Sequence, residues 1–399
     1  MDSLLIYGSY GYTGRLVAHE AVTRGGEEDE SGTPTLAGRD GQAVSEQATH
    51  LGVEGRQLAL EDDLTAVLEE FDAVLNCAGP FTETVDPMTE ACLETGTDYL
   101  DVTGEVAVFE RLRQRDREAR DAGVTMVPGV GFEVVPSDCL AAMLAECLPT
   151  ADSLTLGVEA SGPPSSGTAR TVLDLLADGG IVRHNGRLIK VPAGFRTRKL
   201  DFGNGPTDAV SVPWGDVVTA PYSAGVDSVE VYASAPSWAG HALAALESVS
   251  CVLTCGPVER VLERSLETVI DGPDEQTLAT DRAVIWGELT DEDGQRATAR
   301  LETPNPYALT AQSAVSAAER VLGCESDGGD ERAIQPGFQT PATAFGSEFV
   351  LEFEGVDYEL LAVPASTASS DGDDTTGADD LADDEAVGNE TRRLLESDD

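Results

Sequence analysis

The sequence predicts an α/β fold in two parts: an N-terminal doubly wound parallel sheet over residues 1–130 and a second, mixed α/β domain over 131–363. Three observations carry this reading. Short apolar runs alternate with amphipathic helical stretches through the first part, as the strands and crossover helices of a parallel sheet do. The first run, Leu4-Leu5-Ile6-Tyr7, passes directly into a glycine-rich turn and then a helix. Further along, the strands look antiparallel, with 283–288 and 297–302 joined by Asp291-Glu-Asp-Gly294.

Taken in order, strands are expected at 3–7, 33–38, 54–60, 71–77, 98–102 and 124–128. Helices are expected at 40–51, 86–95 and 106–122, the last with Arg, Asp and Glu on one face and Val, Phe, Leu and Ala on the other. A further helix begins near Pro136-Ser137 and runs to Cys147. The second part is expected to hold strands at 153–160 and 227–234, the antiparallel pair, and helices at 168–177 and 311–321. Residues 186–226, rich in Gly, Pro and turns, receive no assignment. From 364 to 399 the chain carries twelve acidic residues and no aromatic one, the composition of a disordered tail.

The turn after the first strand reads Gly8-Ser-Tyr-Gly11-Tyr-Thr-Gly14. Strand, glycine turn and helix in that order are the context of a dinucleotide-binding fingerprint: glycines let the backbone approach a pyrophosphate, and the helix N-terminus meets its charge. Gly8, Tyr10, Gly11, Tyr12, Thr13 and Gly14 are the expected cofactor contacts. The second strand ends at Gly38-Arg39. A guanidinium where a carboxylate would bind a ribose 2′-hydroxyl favours a 2′-phosphate, hence NADP over NAD. The alternative keeps Arg39 as a solvated charge and makes Asp40 the ribose ligand. The fourth strand ends in Asn76-Cys77-Ala78-Gly79-Pro80, where the carboxyl ends of a parallel sheet face a cofactor.

The 399 residues hold 73 acidic and 25 basic side chains, a net charge of −48. Only Lys190 and Lys199 are lysines, and the acids are spread along the chain. Such a surface argues against nucleic acid or anionic membrane as a partner. Its self-repulsion is relieved by concentrated salt, and the pattern resembles cytoplasmic proteins of salt-in halophiles. No apolar run reaches membrane-spanning length, and the first strand begins at once, so neither membrane insertion nor a secretory leader is expected. Seven scattered cysteines, with Cys251 and Cys255 lacking a second pair at zinc spacing, read as reduced thiols of a cytoplasmic protein. The four histidines show no metal spacing, so no metal site is expected.

Several segments together resemble the saccharopine dehydrogenase-like reductases, and within them the trans-acting enoyl reductase branch. They are the glycine turn, Leu36-Ala-Gly-Arg39, Asn76-Cys-Ala-Gly-Pro-Phe81, Ala91 to Glu105, Gly131-Phe-Glu-Val-Val-Pro-Ser-Asp138, Thr303-Pro-Asn-Pro-Tyr307 and Gly337-Phe-Gln-Thr-Pro-Ala342. The resemblance implies an NADP-binding Rossmann domain, an α/β domain closing over the nicotinamide, and a homodimer. Lysine-pathway members carry an Asp-His pair after the sixth strand; Glu133-Val-Val-Pro-Ser137-Asp138 has no histidine, so saccharopine is not the expected substrate. Enoyl-reducing relatives imply a lipid-like or small substrate.

Reducing a conjugated C=C bond requires the nicotinamide over one carbon and a group that stabilises or protonates the developing enolate. The candidates are Tyr99, Asp101, Thr103 and Glu105 at the end of the fifth strand, together with Glu133 and Asp138 after the sixth. Each has a structural alternative, Asp101 and Asp138 as helix-start groups and Tyr99 as packing. Arg196, Arg198 and Lys199 form either a carboxylate clamp or a solvated turn. The absence of a Tyr-x-x-x-Lys pair argues against short-chain dehydrogenase chemistry. Two rivals stay open: an imine-type amino-acid dehydrogenase, and a non-catalytic NADP-binding regulator.

Overall fold

The computed structural model describes residues 3–25, 33–160, 179–236, 238–239, 275–323 and 334–364. The first part is a parallel sheet of β1 (Leu4–Tyr7), β2 (Thr35–Gly38), β3 (Gly55–Gln57), β4 (Ala73–Asn76), β5 (Asp98–Asp101) and β6 (Thr125–Val127). The strand order 6-5-4-1-2-3 places β1 between β2 and β4, the switch point of a doubly wound sheet. β1, β2, β4 and β6 are buried along their whole length, which is why they read as unbroken apolar runs rather than alternating ones. The crossovers are α1 (Tyr12–Gly25), α2 (Gly41–Leu51), α3 (Leu64–Leu68), α4 (Phe81–Thr95), α5 (Val106–Gln114) and α6 (Asp116–Ala122).

Three differences from the sequence reading have physical causes. α4 starts at Phe81, ahead of the expected residue 86, because the Glu105 carboxylate accepts the Phe81 and Thr82 N–H groups, each at 2.9 Å. A cap supplied from 24 residues away leaves no local signal. The helix expected over 106–122 is two, parted at Arg115, whose guanidinium pairs with Glu118 and donates to Thr89 Oγ1 on α4 at 3.2 Å. A seventh strand, the dipeptide Gly337–Phe338, pairs with β6, and the Phe338 N–H donates to Asp116 Oδ1 at 3.0 Å.

The second sheet is mixed. β7 (Ser153–Ala160) pairs in parallel with a strand at Ser228–Ser234 and antiparallel with one at Arg282–Thr290, which in turn pairs with Arg296–Pro304. The unassigned 186–226 region supplies strands Arg187–Val191, Thr197–Asp201 and Pro206–Ser211 and the helix Asp216–Ser223. Asn185 and Gly186, both at positive φ, make the two-residue turn of a hairpin there. α7 (Val135–Cys147) lies over the sheet, close enough that a Cβ at Gly287 would stand 2.9 Å from the tip of Leu144. One continuous apolar core joins both sheets. The helix expected at 168–177, the Cys251/Cys255 pair and the chain from 365 on lie outside the described residues.

Candidate functional site

The glycine turn is built by contacts only glycine permits. Gly8 sits at φ +79°, and a Cβ there would lie 2.7 Å from the Ala78 backbone N. A Cβ at Gly14 would come within 2.3 Å of the Gly8 carbonyl oxygen. Gly11 differs: an added Cβ meets only the Gly8 oxygen, at 3.3 Å. That open side is where a phosphate can approach the backbone. Ser9, fully buried, donates to Gln47 Oε1 at 2.8 Å and accepts Gln47 Nε2 through its carbonyl at 2.9 Å, fixing the turn against α2. The first-turn N–H groups of α1 beside it have no intrahelical acceptor, so the donor set suits an anion. Tyr12 packs edge-on to Tyr307 of the helix Pro306–Val321, with centroids 4.9 Å apart. Cys77 N donates to the Tyr7 carbonyl at 2.8 Å, and Gly79-Pro80 is a cis peptide.

At the end of β2 the Tyr10 ring lies against Gly38, 2.5 Å from a hypothetical Cβ. Arg39 is exposed and lines an open cleft with Asp40, Gly41, Gln42 and Gln57. Among the described residues its guanidinium makes no ion pair. Asp40 Oδ1 caps α2, accepting the Gln42 and Ala43 N–H groups at 3.0 and 3.1 Å. The two residues thus divide the work at this position, one as cap and one as a cation directed to solvent.

The remaining candidates fall into two groups. Tyr99 and Asp101 belong to β5, while Glu105 and Glu133 stand on the loops beyond the carboxyl ends of β5 and β6. Tyr99 and Asp101 are fully buried. The Tyr99 hydroxyl donates to Asp101 Oδ2 and accepts Asn76 Nδ2 at 3.2 Å; Asp101 Oδ1 accepts the N–H groups of Thr103 and Gly129 at 3.0 and 2.9 Å. Burial raises the Asp101 carboxyl to about 6 against these donors. Glu105 holds the start of α4. Glu133 is half-buried, and its carboxyl lies so near Gly104 that a Cβ there would stand 1.6 Å from Oε2. Burial, with the Glu105 charge second, raises Glu133 to about 7.

Asp138 stands apart, in the first turn of α7, fully buried and accepting the Ala342 N–H at 2.8 Å. Close to it lies Asp216, also fully buried and accepting from Ser137 Oγ at 2.9 Å. Desolvation raises both carboxyls, and the Asp138 charge raises Asp216 further. Asp216 went unnoticed in the sequence, where it falls within the unassigned stretch 186–226. Arg196 and Arg198 point along the second sheet to Glu230 and Glu288, an arrangement of strand neighbours. Among the described residues no three metal-ligating side chains converge, and no helix is long and apolar enough to cross a membrane.

Residues 4–127 match the family model of the saccharopine dehydrogenase NADP-binding domain. The chain thus carries a saccharopine dehydrogenase NADP-binding domain. A trans-acting enoyl reductase from Mycobacterium ulcerans is 30% identical over 143 residues, 34% of this chain and 33% of that protein. The saccharopine dehydrogenase-like oxidoreductase of Homo sapiens is 28% identical over 151 residues, 34% of this chain and 35% of that one. These matches span about a third of each relative's length. Apo saccharopine dehydrogenase (L-Glu forming) from Saccharomyces cerevisiae superposes with a TM-score of 0.59 at 14% identity, covering 91% of this chain and all of that one. The likeness in fold therefore extends beyond the NADP-binding domain, across both sheets.

Proposed function

We propose that this chain is an NADP(H)-dependent reductase of a conjugated C=C bond in a lipid-like or small substrate. The observation that carries the cofactor choice is Arg39: an exposed guanidinium at the end of β2, with the adjacent Asp40 committed to capping α2. A 2′-phosphate supplies the anion that Arg39 lacks among the described residues, and its planar fork suits bidentate contact. Support for enoyl reduction comes from the relatives named trans-acting enoyl reductase. Arg196 and Arg198 being taken up by Glu230 and Glu288 speaks against a clamp for a polycarboxylate such as saccharopine.

When bound, the reduced dinucleotide supplies a hydride. The chain's own residues do the rest. The Gly8–Gly14 turn and the start of α1 hold the pyrophosphate, Arg39 selects the 2′-phosphate, and the loops after β4, β5 and β6 shape the space beside the nicotinamide half. A cytoplasmic, homodimeric enzyme is the setting this reading carries.

The test is NADPH and NADH binding by fluorescence in molar KCl, for wild type and Arg39→Asp, followed by NADPH oxidation with enone and imine substrates. NADPH preference should fall by roughly 10- to 100-fold in the variant, the equivalent of one charge-assisted contact. A folded protein that binds neither nucleotide overturns the reading. Turnover of imines and not enones moves it to the imine dehydrogenases.

A further inference from the structure

We propose that Glu133 is the proton donor of this site, delivering its carboxyl proton to the substrate carbon or oxygen that becomes basic as hydride adds. This rests on the reductase reading above. Four observations place Glu133 in the role.

First, its backbone is pinned on several sides. The Glu133 carbonyl accepts the Trp214 indole N–H, the Phe132 N–H donates to Thr310 Oγ1 at 3.0 Å, and the Val134 and Val135 N–H groups donate to the Gly131 carbonyl at 3.2 and 2.9 Å. Trp214 and Thr310 come from the second part of the chain, so the residue is held where both parts meet. Second, its side chain crosses from the β6 loop onto the β5 loop, against Gly104. Both loops stand at the carboxyl ends of the strands, beyond β4 from the switch point, where the nicotinamide half of a dinucleotide lies in such sheets.

Third, the residue is half-buried and its carboxyl group, among the described residues, takes part in no hydrogen bond or ion pair. It differs in this from Asp101, Glu105 and Asp138, each of which already accepts backbone N–H groups. A carboxyl group without internal partners is not committed to holding the fold and keeps its proton available to a substrate. Fourth, the charged group acting on it is Glu105, whose two oxygens are both engaged by the start of α4. Trp214 and Thr310, the side chains that pin this stretch from the second part, do not titrate. The pairing sets the two carboxylates to different tasks: Glu105 holds backbone, and its charge helps keep the Glu133 proton in place near neutral pH.

The step balances simply. Two electrons arrive with the hydride from the reduced dinucleotide. The Glu133 O–H bond breaks, a C–H or O–H bond forms on the substrate, and the carboxylate left behind takes a proton from water.

The first readout needs no turnover. In cofactor-free protein carrying 13C-labelled glutamate, the carboxyl signal absent from Glu133→Gln should titrate near pH 7. A midpoint below about 5, in the ordinary glutamate range, overturns the assignment. The second readout is enone reduction. Glu133→Gln should lower kcat by about 100- to 10,000-fold, with NADPH affinity unchanged. In wild type the rate should fall as pH rises through about 7, as the acid form is lost. Gly104→Ala, at a backbone conformation open to alanine, displaces the carboxyl without altering its chemistry and should lower kcat in the same way. Full activity in Glu133→Gln overturns the proposal alone. Wild type that binds NADPH yet reduces no enone or imine overturns the reductase reading and this one with it.

Discussion

The Tyr99 hydroxyl donates to Asp101 Oδ2 at 2.9 Å, with both side chains fully buried. The pair ties β5 to the loops around it, since Tyr99 also reaches Asn76 on β4 and Asp101 holds Thr103 and Gly129. Tyr99→Phe removes one donor to a buried carboxyl oxygen and one acceptor for Asn76. It should cost about 1–3 kcal/mol in urea unfolding, the penalty for a buried polar atom left without its partner. NADPH affinity should change little.

The same carboxyl makes stability depend on pH. Asp101 titrates at about 6 in the fold, above the ordinary 3.8, so between those values the folded protein holds more of its proton than the unfolded chain. Its contribution is fully present below the ordinary value and is lost as pH rises through about 6. From pH 8 to pH 5 this amounts to roughly 1 kcal/mol. Asp98, raised to about 6 by burial, acts in the same direction. Asp101→Asn mimics the neutral form, so the stability gap between wild type and variant should shift by roughly 1 kcal/mol over that range in denaturant midpoints.

The three glycines of the turn should separate folding from binding. Gly14→Ala forces a methyl onto the Gly8 carbonyl, and Gly8→Ala meets both a positive φ and the Ala78 backbone. Each should lose about 1–3 kcal/mol of stability. Gly11→Ala meets only the Gly8 carbonyl oxygen, at a tight 3.3 Å that a small shift relieves, so it should lose less stability than either, about 1 kcal/mol at most. Dinucleotide affinity should nevertheless fall by at least roughly tenfold as the methyl enters the phosphate side. Thermal unfolding and fluorescence titration of the three variants decide it.

With 73 acidic against 25 basic side chains, repulsion acts across the whole surface. Raising KCl shortens the screening length from about 10 Å at 0.1 M to about 3 Å at 1 M. The melting temperature should rise steadily over that interval. A flat response would mean that this charge is not a principal term in stability.

The sequence by itself determined whatever depends on near neighbours. Buried strands of a parallel sheet must be apolar throughout, so β1, β2 and β4 were visible as runs, and the glycine turn was visible because strand, glycines and helix are consecutive. Asp40 was read as the first residue of a helix and as an alternative ribose ligand; only the structure shows its oxygen capping that helix on the Gln42 and Ala43 N–H groups. The tertiary structure decided what depends on residues distant in the chain. Glu105 starts α4 from 24 residues away, Gly337–Phe338 extends the first sheet by pairing with β6, and Asp216 comes to lie beside Asp138. Among five acidic or phenolic candidates, the sequence offered no ground for separating those whose side chains are hydrogen-bonded inside the protein from Glu133, whose carboxyl group is not. Composition sets which groups can carry a proton; packing alone sets which are desolvated, which are satisfied, and which remain open to a substrate.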